Sequence, residues 1–190
     1  MRVIAGEKGG RRLLAPPGRA TRPTSDRVRE AAFSMLESQG VLRGARVWDL
    51  FAGSGALGIE ALSRGAAHAT FVDQARGAVS VAKANLAKLG YGADRAAVVC
   101  AEVLKWVHGL EGEPPADPAE GGKVDVVLAD PPYAWKSWPG LLTGVASHRP
   151  LVLIETGQAP ELPAGWHLLR SKRYGGTLVT LTCLDDRGTE

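Results

Sequence analysis

Asp130-Pro131-Pro132-Tyr133 closes the apolar run VDVVLA. Two prolines in a row stop a strand unaided, since proline has no N–H for a ladder and its φ is fixed. The carboxylate and the phenol ring have a use only if a substrate reaches that strand end. The four residues together suit one chemistry. An amine conjugated to an aromatic ring is a poor nucleophile, because its lone pair is delocalised. Acceptors set around its two N–H groups draw the nitrogen toward pyramidal geometry and free the lone pair. Asp130 supplies one acceptor. The carbonyl of Pro131 supplies a second, held by the restricted torsions of the proline pair. Tyr133 offers a face for stacking. Positioning and preorganised acceptors then carry most of the catalysis, and no strong general base is required.

A second group lies upstream in DLFAGSGALGIE, where Gly53, Gly55 and Gly58 form a GxGxxG. It follows a strand-like run and opens a helix-like one, and Asp73 ends the next strand about 20 positions later, placed to accept from ribose hydroxyls. Two kinds of adenosine cofactor use such a loop, and they differ in charge. A dinucleotide sets an anionic pyrophosphate on the helix N-terminus. S-adenosylmethionine presents a sulfonium and an ammonium. Asp49 closes the strand just ahead of the loop. It would repel a pyrophosphate and attract an ammonium, by about 4 kcal/mol at 4 Å and an effective dielectric constant of 20, before desolvation. The sign favours the sulfonium cofactor, although Asp49 also suits a helix cap. Phe51, Ala52, Ser54 and, after Asp73, Gln74 complete the lining of this site. Past the third strand, Glu102 stands where it can accept from an adenine amino group, with the Val103 N–H toward a ring nitrogen. Capping of the short helix that follows is an equal reading for Glu102.

The elements that must hold these residues alternate. ARVWDLF, HATFVDQ, AAVVCA, VDVVLAD and PLVLIET read as strands. GALGIEALSRG, ARGAVSVAKANLAKLG, VLKWVHGL and WPGLLTGVASH read as helices between them. Near-continuous apolar strands separated by helices predict a parallel sheet covered on both faces. WHLLRSKRYGGTLVTLTCL predicts a terminal antiparallel hairpin turning at Gly175-Gly176. A helix begins near Asp26, with Ser25 or Asp26 as cap and Val28, Ala31, Ala32, Met35 and Leu36 as its apolar face, and Gly40 ends it. RVIAG and RRLLAP around EKGG predict a short N-terminal hairpin. The chain therefore divides into a hairpin extension, residues 1–24, and one domain, residues 25–190.

Of 190 residues, 45% are hydrophobic and 23% charged, ordinary for a soluble globular domain. No apolar run reaches the ~20 residues that cross a bilayer, and the N-terminus has no secretory pattern. Cys100 and Cys183 lie far apart in strand-like runs. They read as small buried hydrophobes in a reducing cytoplasm. His68, His108, His148 and His167 show no metal-ligand spacing and no nucleophile partner, so no metal is expected. The net charge of +3 is unevenly placed: residues 1–29 carry +6 and the rest −3. Such a segment fits a nucleic-acid contact or a solubilising arm. Trp135 and Trp138, beside the four-residue motif, suit either stacking on flanking bases or packing. The acidic, proline-rich stretch 111–122 is given no role.

Behind a strand and downstream of a glycine loop, DPPY resembles motif IV of amino-group N-methyltransferases. MRVIAGEKGGRRLLAPPG, RPTSDRVREAAFSML, DLFAGSGALGIEALSRGA and DPPY together resemble the bacterial RsmD family. That resemblance implies a Rossmann-like class I methyltransferase with a seven-stranded, mostly parallel sheet. It implies methyl transfer from S-adenosylmethionine to N2 of one guanine in 16S ribosomal RNA, guanine 966, in the small subunit or its assembly intermediate, by a cytoplasmic monomer. It places Gly53, Ser54 and Gly55 at the methionine end, Asp73 at the ribose and Asp130 to Tyr133 at the target amine. Thr24, in RPTSDRVRE, falls near the cofactor. Arg2, Lys8, Arg11, Arg12, Arg22 and Arg27 become candidates for RNA phosphates. Amino methylation of another nucleic acid or of protein glutamine, and a nicotinamide-dinucleotide oxidoreductase, remain as alternatives; the last leaves DPPY unexplained.

Overall fold

The structure, a computed structural model, describes residues 1–15, 26–109 and 123–185. Thr24, Arg22 and the stretch 111–122 lie outside the described residues. Seven strands form one sheet: β1 Arg46–Leu50, β2 His68–Asp73, β3 Ala96–Cys100, β4 Val126–Ala129, β5 Leu151–Thr156, β6 Trp166–Tyr174 and β7 Thr177–Leu184. Their spatial order is β3-β2-β1-β4-β5-β7-β6. The first five are parallel, and β7 enters antiparallel between β5 and β6. The seven-stranded, mostly parallel α/β architecture with its terminal hairpin is as the sequence predicts.

Alternation along each central strand sorts the core. Val47, Phe71, Leu128 and Leu153 point to one face, where helices α1 (Asp26–Ser38), α2 (Ala56–Ser63) and α3 (Arg76–Leu89) pack. Trp48, Leu50, Val127 and Ile154 point to the other, under α4 (Val103–Val107) and α5 (Trp138–Val145). Both faces of the central strands are dry, which explains their unbroken apolar sequence. The edges differ. β3 is only partly covered, and Cys100 at its end is exposed, not buried as expected; Cys183 is half-buried. In α1 the buried set is Val28, Arg29, Ala32, Phe33, Met35 and Leu36, while Ala31 is only partly covered.

The N-terminal segment makes hairpin-like bonds, Val3 N–H to Arg11 O and Gly10 N–H to Val3 O, but only Arg2 and Arg12 form a bridge pair. Its described part is not set apart from the domain. Val3 and Leu13 belong to the core that α1, α2 and α3 share. The Ile4 and Ala5 N–H groups donate to the buried Glu60 carboxylate at 2.7 and 3.0 Å. Gly6 lies so close to α2 that a Cβ there would fall 1.9 Å from the Ser63 carbonyl oxygen.

The chain runs from β1 outward to β2 and β3, then returns to β4 on the other side of β1. That reversal falls between β1 and β4, and at the carboxyl ends of such a pair open α/β sheets form the crevice that takes their ligands.

Candidate active site

Parallel register brings the carboxylates together. Leu50 of β1 lies level with Val72 of β2 and Ala129 of β4. Asp49, Asp73 and Asp130 therefore end three adjacent strands, which are spaced about 4.8 Å apart. Asp49 is 1% exposed and accepts the Gly58 N–H at 2.8 Å. It thus serves the first turn of α2, as a cap would. Its proton affinity is nonetheless well above that of an ordinary carboxyl group. Burial is the main cause. The Gly58 bond opposes it, and the charges of Asp130 and Asp73 add to it. A ligand cation in this crevice would relieve both repulsions.

The glycine loop is fixed by backbone geometry. Gly53 (φ 56°) and Gly55 (φ 79°) occupy the left-handed region that favours glycine. Gly58 is needed for another reason: a Cβ there would stand 2.3 Å from the Phe71 ring and 3.0 Å from Asp49 Oδ2. Asp73 buckles the loop to β2, accepting from Gly53 N–H and Ala75 N–H, each at 2.8 Å. The Ala52 N–H bonds Val72 O. Ser54 is buried, and its carbonyl accepts from Asn85 Nδ2 at 2.9 Å.

Past the end of β3, Glu102 caps α4, accepting the Leu104 and Lys105 N–H groups at 3.1 and 2.9 Å. Of the two readings, the cap is the bond the structure contains. Val103 is buried just behind it, while Gln74 is exposed and its carbonyl accepts the Cys100 thiol.

Beyond β4, Asp130 is half-buried and Pro131 buried. No described residue donates to the Pro131 carbonyl, whereas the Pro132 carbonyl accepts the Trp135 N–H at 2.8 Å and closes a turn. Tyr133 is 54% exposed. One side of its ring leans on Gly157, where a Cβ would come within 3.0 Å, and its hydroxyl lies 3.3 Å from Thr177 Oγ1. The ring is thus held from below with area left open. Trp135 stands between Phe51 and Trp138 in edge-on contacts, with centroids 5.1 and 4.6 Å apart. Trp138 is core, and Trp135 is half-buried. Phe51 itself has φ 65°, a conformation that costs a bulky residue energy and is concentrated at functional sites.

Several residues that hold this site escape sequence reasoning. Asn85 on α3 is fully buried and binds the Leu14 backbone at both N–H and C=O as well as Ser54 O. Its signal is an amide at an apolar-face position, between Ala82 and Leu89. Glu60 is the only acid in the otherwise apolar α2 and also accepts from Arg64 Nε at 2.8 Å. Gly157 and Thr177 carry no signal. Among the candidate RNA residues, Arg2 pairs with Asp26 at 3.0 Å and Lys8 lies over the Tyr91 ring. Arg11, Arg12 and Arg27 are exposed without an acidic partner among the described residues.

Sheet order, switch-point crevice and glycine loop define a Rossmann-like class I methyltransferase fold. A family model described as conserved hypothetical protein 95 matches residues 1–183. The chain belongs to this family, the RsmD family. The Escherichia coli K12 protein named ribosomal RNA small subunit methyltransferase D is 35% identical over 187 residues, covering 92% of this chain and 85% of its own. Its namesake from Haemophilus influenzae is 31% identical over 182 residues, covering 92% and 89%. The solved structure of a hypothetical protein from Thermus thermophilus superposes with a TM-score of 0.76 at 30% identity, over 95% of this chain and 98% of that one. Among the described residues no helix is long and apolar enough to cross a membrane.

Proposed function

We propose that the chain is a ribosomal RNA methyltransferase that moves a methyl group from S-adenosylmethionine to the exocyclic N2 amine of a guanine in 16S ribosomal RNA, guanine 966 by the family's pattern. The carrying observation is the gathering of Asp49, Asp73 and Asp130 around one crevice, with Asp49 driven toward its protonated form partly by the other two. That donor set fits a cationic cofactor and opposes an anionic dinucleotide. The relatives named ribosomal RNA small subunit methyltransferase D support the RNA substrate.

When bound, S-adenosylmethionine supplies an electrophilic methyl group. Asp49 and the backbone of Phe51 to Gly55 hold its amino-acid end, Asp73 accepts from the ribose, and Val103 with Gln74 bounds the base. Thr24, outside the described residues, is assigned to the cofactor by the family's pattern alone. Asp130 and the Pro131 carbonyl accept hydrogen bonds from the two N–H groups of the target amine and direct its lone pair into the crevice. Tyr133 presents its open ring face to the guanine, which must leave its stack to arrive there. Excess protons leave through solvent, because the methylated ammonium is strongly acidic. Residues 1–24 serve residues 25–190 as an RNA arm, with Arg2, Lys8, Arg11, Arg12, Arg22 and Arg27 toward phosphates. The partner is the small subunit or its assembly intermediate, and the enzyme acts as a cytoplasmic monomer.

The test incubates the protein and methyl-labelled S-adenosylmethionine with small subunits from cells that lack the endogenous activity, then maps the labelled nucleotide. Label on one guanine N2 is expected. At saturating cofactor an Asp130→Asn variant should transfer roughly 10²–10³-fold more slowly, the usual cost of one preorganised catalytic hydrogen bond. Label on protein alone, or full activity of the variant, refutes the assignment.

A further inference from the structure

We infer that the edge strand β6 is a second RNA-binding surface, a cationic track for the phosphates of the strand that flanks the target nucleotide. The inference rests on the RNA methyltransferase reading above and goes beyond the N-terminal arm.

β6 ends the sheet and pairs only with β7. All seven residues from His167 to Arg173 are exposed. Arg170, Lys172 and Arg173 lie among them, and the strand contains no acid. Among the described residues the carboxylate that pairs with this strand is Asp185, which meets His167 at the far end, 3.2 Å away. A register shift between Leu168 and Arg170 bulges the strand and sets which way the cations face. Arg170 then pairs across with Leu181 and Lys172 with Val179, both of which point to the α1 side of the sheet. Lys172 lies over the Tyr174 ring, 5.4 Å from its centroid.

Charges and a bulge on an edge strand also keep sheets from pairing edge to edge. Edge protection does not account for where the track leads. Arg173 Nη1 donates to the Gly157 carbonyl at 3.1 Å. Gly157 is the residue on which the Tyr133 ring rests, and Tyr133 reaches Thr177 at the start of β7. The cationic strand therefore runs into the floor of the amine site. Nine extended residues span about 30 Å, enough for several nucleotides of single strand. Positive charge at Arg170 and Lys172 that meets no carboxylate among the described residues, aimed at the ring that would hold the extruded base, fits a phosphate backbone.

The experiment uses an Arg170→Ala/Lys172→Ala variant of the full chain. Arg173 is spared because it supports Gly157. Binding to a labelled RNA stem-loop and to small ribosomal subunits is measured across potassium chloride concentrations, without methyl transfer. Each lost single-strand phosphate contact should lower the slope of log K against log salt by about 0.7. The double variant should thus lose about 1.4 of slope and roughly 10-fold in affinity at physiological salt. Its melting temperature and its affinity for S-adenosylmethionine should equal those of the wild type. A wild-type protein that binds no RNA overturns both this inference and the function it rests on. A wild type that binds RNA, with an unchanged slope in the variant, overturns the β6 track alone. So does sedimentation showing a dimer that Leu168→Ser/Leu169→Ser dissolves while the RNA slope stays constant, since β6 would then be an interface between two copies.

Discussion

Asp49→Asn should make the free protein more stable and the cofactor complex weaker. The reasoning starts from the sign of its titration. Asp49 has its carboxyl pKa raised in the folded state, first by burial and then by Asp130 and Asp73. A carboxyl group raised in this way costs the fold nothing below its unfolded pKa, near 4, where both states hold the proton. As pH rises from there, the unfolded chain ionises first and is favoured. Stability is lost until the folded group also ionises, at up to about 1.4 kcal/mol per pH unit. Asparagine has no such penalty and keeps an oxygen for the Gly58 N–H. The gap in melting temperature should therefore be near zero at pH 4 and widen toward neutral pH. At about 2–4 °C per kcal/mol for a chain of this size, that is at most about 3–6 °C per pH unit.

Binding should respond in the opposite sense. An ammonium or sulfonium 4 Å from an ionised Asp49 gains about 4 kcal/mol at an effective dielectric constant of 20, and about 2.4 kcal/mol at 7 Å through a water. After desolvation, a loss of roughly 2 kcal/mol is expected on substitution, near 30-fold in Kd. The bound cation also favours ionised Asp49. Wild-type affinity should then rise with pH and binding should release a proton, whereas the variant should do neither. Titration calorimetry in two buffers of different ionisation enthalpy reads both quantities. Adenosine, which has neither positive group, should bind wild type and variant alike. Equal S-adenosylmethionine affinities with a matching fold, or an equal loss for adenosine, would refute the charge argument.

Three further substitutions test the scaffold. Gly58→Ala drives a methyl group into the Phe71 ring and should cost about 1–3 kcal/mol of stability, read by chemical denaturation, while weakening cofactor binding as the Gly58 N–H moves off Asp49. Asn85→Leu removes three hydrogen bonds and leaves the Leu14 and Ser54 backbone groups unpaired. A loss of about 2–4 kcal/mol is expected, and cofactor Kd measured on the folded fraction should rise. Glu60→Gln replaces one of the two buried oxygens that accept the Ile4 and Ala5 N–H groups with an NH2 donor and weakens the Arg64 pair. It should cost roughly 2–4 kcal/mol and expose the first residues to limited proteolysis.

How much of this was legible follows from what periodicity can register. The β4 run VVLA and the β1 run RVWDL announce strands buried on both faces, because every side chain on them meets a helix. GxGxxG marks its own turn, because only glycine accepts the backbone at Gly53 and Gly55 and the close approach at Gly58. DPPY marks the end of β4, because the proline pair stops a strand, and its carboxylate, which a strand stopper does not need, is what suggests chemistry there. Periodicity sorts residues by type, so it cannot find a polar side chain that a fold takes inside. Arg29, Glu60 and Asn85 are each fully buried, and of the three only Asn85 shows it in sequence, by its place on an apolar helix face. Cys100 fails in the opposite direction: an apolar-looking strand end is exposed, because β3 lies at the sheet edge, and edge position is a property of topology. Tyr133 depends on Gly157 and Thr177, which lie 24 and 44 positions later in the chain and meet it only through the sheet order.

These buried polar residues change how the arm should be understood. Asn85 binds Leu14 of the arm on one side and Ser54 of the glycine loop on the other, through a single amide. Glu60 grips Ile4 and Ala5 from the same helix, α2, whose first turn gives its Gly58 N–H to Asp49. Ser54 Oγ reaches Met1 Sδ at 3.7 Å. A solubilising arm would need none of these bonds, and a tethered RNA clamp would tolerate a flexible joint. Here the first fifteen residues are built into the wall behind the cofactor loop, by groups whose loss leaves buried donors or acceptors unsatisfied. Basic side chains at Arg11 and Arg12 therefore stand in a fixed relation to Gly53 and Gly55. Under the proposed function, a phosphate held on the arm would constrain the position of a base at Asp130 through a rigid path, which is what selecting one amine on a large RNA requires.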